Sequence, residues 1–308
     1  DNISPIRSLT KDVISKDVNI FENKPIVLTS GNFGNGGYEI QGGWYASNPS
    51  SIPPIQYYLK DKLNSDVSVS IFDADNKLVQ TFPASNRKGI NKVYWNLRMT
   101  PPKTATGGTK MDYGGFIAPM VLPGTYTMKL KIGDKEYSSP LTLEHNSADK
   151  EFSIDDRKLQ FKTAMELYNL HEELATLVDS ISSRQKMIND QLAVITDSKA
   201  KIILTDYNSQ LETLRASLLS TTQTSIFSDE ERVREKITNV YSAVSMQEAA
   251  PSNSQLANVS FLQKEVKSAE QKHKSIDAKY MAKAKELQAK YEKSIKPKSK
   301  VTKDDSNK

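Results

Sequence analysis

Apolar residues recur along the chain with two different periods, and the change falls near residue 150. Between Ile55 and Leu143 the period is two. Val67, Val69 and Ile71 alternate with Ser68 and Ser70, Val93, Trp95 and Leu97 with Lys92, Tyr94 and Asn96, and Tyr126, Met128 and Leu130 with Thr125, Thr127 and Lys129. Successive side chains of a strand point to opposite faces, so each run predicts a strand with one buried face. Ile55–Leu59, Leu78–Phe82 and Tyr137–Leu143 add further strands. Asp75-Asn76 marks a turn, and Gly133-Asp134 is a two-residue hairpin loop. About six or seven short strands with turn signals between them predict an immunoglobulin-like β-sandwich over residues 55–145. On this phase Trp95 and Tyr126 face the core, and Tyr94 faces out.

From residue 153 the spacing becomes three and four. Leu167, Leu170, Leu174, Leu177, Ile181, Ile188, Leu192 and Ile195 form one stripe of a long helix. A second helix is expected over Asp206–Leu219. A third carries Val233, Ile237, Val240 and Val244, and a last one runs from Val259 through His273 to Tyr291, ended by Pro297. Ser153 with Asp156, Ser228 with Glu231, and Ser252 with Gln255 have the three-residue spacing of capping boxes. Residues 153–297 therefore predict a helical hairpin or bundle. The fold class expected overall is mixed β and α in separate units.

The flanks have neither period. Residues 1–54 hold a few apolar positions and then Gly31, Gly34, Gly36, Gly37, Gly42 and Gly43, interleaved with Tyr38, Trp44 and Tyr45. This stretch reads as a connector followed by a Gly/Pro/aromatic loop belonging to a preceding domain. The opening Asp1-Asn2-Ile3-Ser4-Pro5 reads as the start of a fragment or processed product. Residues 298–308 read as a disordered basic tail.

Composition sharpens this picture in three places. Apolar content is only 37%, which favours two modest cores over one large one. The net charge of +5 is concentrated at the end, where Lys293–Lys308 contains six lysines against Asp304 and Asp305. The charge thus describes a tail and gives no nucleic-acid-binding face. With no cysteine, disulfides, thiolate nucleophiles and thiolate metal sites are excluded. No apolar run is long enough to span a bilayer as a helix.

Candidate chemistry is sparse. The glycine cluster Gly31–Gly37 lacks the spacing of a phosphate loop. Asp73 and Asp75 could ligate calcium, but Asp and Asn are also the usual residues of a tight turn. His145, His171 and His273 share no metal spacing, and His273 falls in an apolar stripe. The pairs Asp155/Asp156, Glu172/Glu173 and Glu230/Glu231 sit on predicted helices, the first and third in first turns, where the macrodipole favours them. No catalytic, cofactor or metal residue is assigned. The binding candidates are aromatic: Trp44, Tyr45, Tyr94, Tyr113 and Phe116. Partner interfaces and sugar sites both use exposed rings. Tyr113 and Phe116 lie in the long loop Pro101–Pro123, which suits a docking arm.

The segments Tyr57-Tyr58-Leu59-Lys60, Val79-Gln80-Thr81-Phe82, Asn91-Lys92-Val93-Tyr94-Trp95-Asn96-Leu97-Arg98, Pro101-Pro102 and Leu122-Pro123-Gly124-Thr125-Tyr126 resemble a bacterial pattern. It is the C-terminal region of large sortilin-like, BNR-repeat β-propeller proteins labelled glycosyl hydrolases. Asp1–Ile6 resembles the end of the last propeller blade, and Ala250-Pro251-Ser252 resembles the start of the family's final helix. The remaining helices match only in pattern. The resemblance implies an Ig-like domain and helical tail behind a propeller, in an exported, extracytoplasmic protein. Any glycosidase activity would belong to the propeller, which this chain lacks, so no catalytic residue carries over. The function expected is a non-catalytic structural and interaction module, with the propeller or another protein as partner. A carbohydrate-binding module or a dimerising helical adaptor are the alternatives.

Overall fold

The computed structural model describes residues 3–28, 54–109, 117–147, 150, 152–221 and 230–295. Among them the chain is mixed β and α, with two sheets and six helices. It divides into two compact units. The first comprises Asp1–Pro102, Phe116–Tyr168 and Tyr241–Leu256, and the second Lys103–Gly115, Asn169–Val240 and Ala257–Lys308.

The first unit opens with two short helices, α1 (Ser4–Arg7) and α2 (Lys11–Ser15). Its strands are β1 (Val18–Ile20), β2 (Ile26–Leu28), β3 (Ile55–Leu59), β4 (Val67–Phe72), β5 (Leu78–Ala84), β6 (Gly89–Val93), β7 (Gly124–Ile132) and β8 (Lys135–His145). A three-stranded sheet has the order β1-β3-β6, and a five-stranded sheet the order β2-β8-β7-β4-β5. Every pairing is antiparallel except β2 with β8. Residues 18–28 thus supply an edge strand to each sheet.

Alternation sets the register. On β4, Val67, Val69 and Ile71 are buried while Ser68, Ser70 and Phe72 are half-buried, and Val69 lies opposite both Phe82 and Leu130. A one-residue slip would turn that buried set to the other face. Side chains from both sheets, among them Tyr57, Leu59, Val69, Ile71, Trp95, Met128 and Leu141, join one apolar core. Each fully buried aliphatic side chain contributes roughly 1.5–3 kcal/mol, offset by the entropy of ordering the chain. The hairpin β7–β8 closes with Ile132 opposite Lys135. Gly133 there takes φ +56, a conformation that glycine reaches without Cβ strain.

The strand expected through Trp95 and Leu97 ends earlier, at Val93. Its alternating burial persists in a turn that hydrogen bonds hold. The Trp95 indole N–H donates to the Arg98 carbonyl at 3.0 Å, the Arg98 amide to Asn96 Oδ1 at 3.2 Å, and the Val121 amide to the Leu97 carbonyl at 2.9 Å. Leu97 adopts φ +59 and is 1% exposed. The ladder ends here because Val93 pairs with Ile55, the first residue of β3, and Pro54 before it has no N–H to donate.

The remaining elements are α3 (Ile154–Leu192), α4 (Ser198–Leu218), α5 (Val233–Met246) and α6 (Asn253–Ile295). Two capping boxes form as expected. Ser153 and Asp156 exchange bonds at 3.1 Å, and Ser252 and Gln255 do so at 2.8 and 3.2 Å. Of the third, Ser228 lies outside the described residues; α5 starts at Val233, with Glu235 accepting from the Arg232 amide at 3.2 Å. Glu230 and Glu231 therefore precede the helix rather than occupy its first turn. Helix α4 starts eight residues before the expected Asp206, because Asp197 caps it by accepting from the amides of Lys199 and Ala200.

Within the first unit the opening turns of α3 meet the end of α5. The Gln160 amide donates to the Val244 carbonyl at 2.9 Å, and Arg157 pairs with Glu248 at 3.6 Å. Arg98 reaches the carbonyls of Ala118 and Ser245. In the second unit, side-chain pairs give the helix directions. Arg184 meets Asp277 while Glu173 and Glu270 line one groove, so α3 and α6 run parallel. Tyr207 bonds Asp277, and Gln210 and Ser217 share a groove with Ser268 and Ser275, so α4 runs antiparallel to both.

Candidate functional site

Of the five aromatic residues singled out for binding, the structure places Tyr94. It follows the last residue of β6 and is 59% exposed, whereas Trp95 beside it is 2% exposed. The alternation expected from Val93 and Leu97 is what separates them. Trp44, Tyr45, Tyr113 and Phe116 lie outside the described residues.

Asp73 is occupied by its own turn. Its Oδ1 accepts from the Asp75 amide at 3.0 Å and the Lys77 amide at 2.8 Å, while Asn76 takes φ +58. These are the bonds by which an Asx residue shapes a tight turn. Among the described residues, no group of three or more His, Asp or Glu side chains gathers to hold a metal ion. His145 is half-buried on β8, His171 lies inside α3 at 0% exposure, and His273 is buried on α6.

Two polar clusters in the second unit escaped sequence reasoning. In the first, Asp277 joins three helices. Its carboxylate accepts from Tyr207 Oη of α4 at 2.5 Å and from Arg184 Nε of α3 at 3.3 Å, and His273 Nε2 lies 3.8 Å away. Tyr207 stacks on Tyr280 with ring centroids 5.2 Å apart, and Tyr280 donates to Asp206. Burial pushes the Tyr207 phenol well above its usual range, and the hydrogen bond to Asp277 adds to it. Burial also holds His273 below the usual histidine value; Asp277 opposes this and Arg184 reinforces it. Removing this shared acceptor leaves the buried Tyr207 hydroxyl and the half-buried Arg184 without it. Asp277→Ala is therefore expected to destabilise by about 1–3 kcal/mol, with Asp277→Asn costing less; denaturant midpoints measure both.

The second cluster centres on Arg234 of α5, which is 1% exposed. Its guanidinium donates to the carbonyls of Ala105 at 3.2 Å, Gly107 at 2.9 Å and Thr109 at 3.0 Å, and to Thr109 Oγ1 at 3.2 Å. Glu235 pairs with it at 2.6 Å. The same loop is tied elsewhere. Glu172 of α3 accepts from the Lys103 amide, Asp179 pairs with the Lys103 ammonium, and the Thr109 amide donates to the Ser220 carbonyl at 2.9 Å. At Gly108, where φ is +74, a Cβ would run into that Ser220 carbonyl. The planar five-donor fork of arginine suits such a set of carbonyls, and lysine could not reproduce it.

Two open grooves flank α6. One, of ≈ 400 Å³, is lined by Glu172, Glu173 and Leu177 of α3 and by Glu270, His273 and Lys274 of α6. Partial burial, and then the Glu270 charge, raise the Glu173 carboxyl above its usual range. The other, of ≈ 480 Å³, is lined by Gln210, Thr213 and Ser217 of α4 and by Ser268, Gln271 and Lys272 of α6. Chemically, the carboxylates and guanidiniums of these two clusters hold helices and a loop in place. Comparison of the sequence with family models and with curated proteins finds no match to either.

Proposed function

We propose that this chain is a non-catalytic structural and interaction module, an Ig-like β-sandwich with a helical bundle that braces a preceding β-propeller in an exported protein. The observation that carries this reading is the apolar surface of α1 and the residues around it. Ile3, Ile6 and Ile14 are 48%, 64% and 47% exposed, while Pro5 is the only buried residue of α1 and α2 has none. Exposed apolar side chains carried on short helices with little buried surface of their own suit coverage by another domain.

Other features support the sandwich. The two sheets share one core, Trp95 meets Tyr126 edge-on at 5.5 Å, and Tyr126 Oη donates to the Leu122 carbonyl at 2.7 Å, four residues upstream. A tyrosine bonded back to nearby backbone is a recurring Ig-type feature. The resemblance of the segments around Trp95 and Tyr126 to the sortilin-like family supplies the propeller as partner.

The test is binding in trans. The segment encoded immediately upstream of Asp1, expressed separately, should bind this chain in calorimetry, and Ile6→Asp should weaken binding at least about tenfold, an apolar anchor at an interface being worth more than 1.4 kcal/mol. No binding, or binding indifferent to Ile6, overturns the proposal. The exposed Tyr94 ring favours glycan recognition as a second reading; a glycan array giving signals that Tyr94→Ala removes would establish it.

A further inference from the structure

Gln56 is the second residue of β3. Its neighbours Ile55 and Tyr57 enter the apolar core, so alternation sets the Gln56 side chain on the outer face of the three-stranded sheet. That face is closed at this point, and Gln56 is only 4% exposed. Its backbone carbonyl accepts from the Phe21 amide at 3.1 Å, which fastens the β1–β2 connection beside it. Among the described residues, no group forms a hydrogen bond with its side-chain amide.

Gln56 lines a cleft of ≈ 510 Å³ shared by α1, the β1–β2 connection and the start of β3. Pro5, Phe21, Pro25, Ile26 and Pro54 supply its apolar walls. Pro5, Phe21 and Ile26 are themselves buried. A cleft of this size, largely apolar and holding one well-placed polar group, has the usual form of a ligand site. We propose that it binds an extended, uncharged stretch of peptide, with Gln56 pairing to the N–H and C=O of one residue.

The chemistry of the cleft selects the ligand. A primary amide offers a donor and an acceptor side by side. In an extended residue the N–H and C=O point to the same side, as in a β ladder, so a single residue meets both. The deep wall carries no charge. A phosphate, carboxylate or ammonium group placed there would lose its hydration and gain no ionic partner. Glu22 and Lys24, the charged residues of the lining, are exposed. A sugar would bring several hydroxyls, each needing a partner, and Gln56 is the one buried polar side chain of the lining among the described residues. An apolar ligand side chain, by contrast, packs on Phe21 and the prolines. An amide left unpaired at this depth costs stability, and the peptide removes that cost. The site is separate from the contact proposed for α1, because Ile6 is not among the residues that line it.

Titration of the whole chain with acetyl-alanyl-leucyl-alaninamide, followed by NMR, tests this. Saturable shifts should appear at Phe21–Lys24 and at the Gln56 side-chain NH2. The depsipeptide in which an ester oxygen replaces the leucine N–H should bind at least about tenfold more weakly, since it leaves Gln56 Oε1 without a donor. Gln56→Met keeps the length of the side chain and should bind both ligands alike, no better than the unmodified chain binds the depsipeptide. The substitution should not lower Tm, because the amide it removes bonds to nothing in the free chain. No saturable binding, equal affinity of the unmodified chain for the two ligands, or tripeptide binding that survives Gln56→Met overturns the proposal. Should Gln56→Met fail to fold, the Gln56 NH2 signals of the unmodified chain decide. They must move on the same binding curve as Phe21, and stationary signals sink the idea.

Discussion

Trp95→Ala is expected to cost about 3–5 kcal/mol, the range for emptying a large aromatic site in a core. The side chain is 2% exposed and belongs to the cluster that both sheets build. Its ring meets Tyr126 edge-on at 5.5 Å, and its N–H satisfies the Arg98 carbonyl. Alanine would remove the packing and strand that carbonyl, and the turn from Trp95 to Arg98 would lose the bond that closes it. Leu97 would then keep its left-handed backbone with less to hold it there. Trp95→Phe should fall well short of the alanine cost, since it keeps most of the apolar area and gives up one hydrogen bond. The control is the next residue. Tyr94→Ala removes a ring that is 59% exposed and should stay within about 0.5 kcal/mol of the parent. Urea unfolding followed by circular dichroism measures all three.

Arg234→Met should be as damaging, about 3–5 kcal/mol, for a different reason. Methionine fills much of the volume, so the loss is electrostatic. The carbonyls of Ala105, Gly107 and Thr109 lose their donors, and Glu235 loses its charge partner in a buried setting. Arg234→Lys should recover only a minor part, because an ammonium cannot reach three diverging carbonyls at once. Exchange protection across residues 103–109 should fall with stability in both variants, and an unchanged loop would contradict the clamp.

How much of this was legible in the sequence depends on the range of the interaction. Alternation over Val67–Ile71 and Tyr126–Leu130, the Gly133-Asp134 hairpin and the boxes at Ser153 and Ser252 are local, and local chemistry sufficed to read them. The start of α4 was missed because Asp197 is a single capping residue with no apolar periodicity behind it. The Trp95–Arg98 turn was read as strand because burial keeps period two even where the ladder has ended. Arg234 lies in a run of charge from Asp229 to Lys236 that reads as a solvated face. Its burial is decided by carbonyls 125 to 129 residues away. Asp277 is hidden in the same way between Ile276 and Lys279, because its partners Arg184 and Tyr207 are on other helices. Of the candidate site, the sequence assigned Tyr94 and Trp95 to opposite faces, and the structure places them so. The other four aromatic positions fall outside the described residues.

The division of the chain into interleaved units bears on synthesis. Each unit is assembled from three separate stretches, and the first one needs Tyr241–Leu256, where Ser245 receives Arg98. A ribosome making this chain from its N-terminus would have to pass Leu256 before either unit had all its parts. Until then the strand core lacks the carbonyl that Arg98 seeks, and the loop from Lys103 awaits Arg234. The first unit therefore stays open to chaperones until Tyr241–Leu256 has been made, and closes late. Cutting the gene near residue 150 would therefore yield two incomplete pieces rather than two domains.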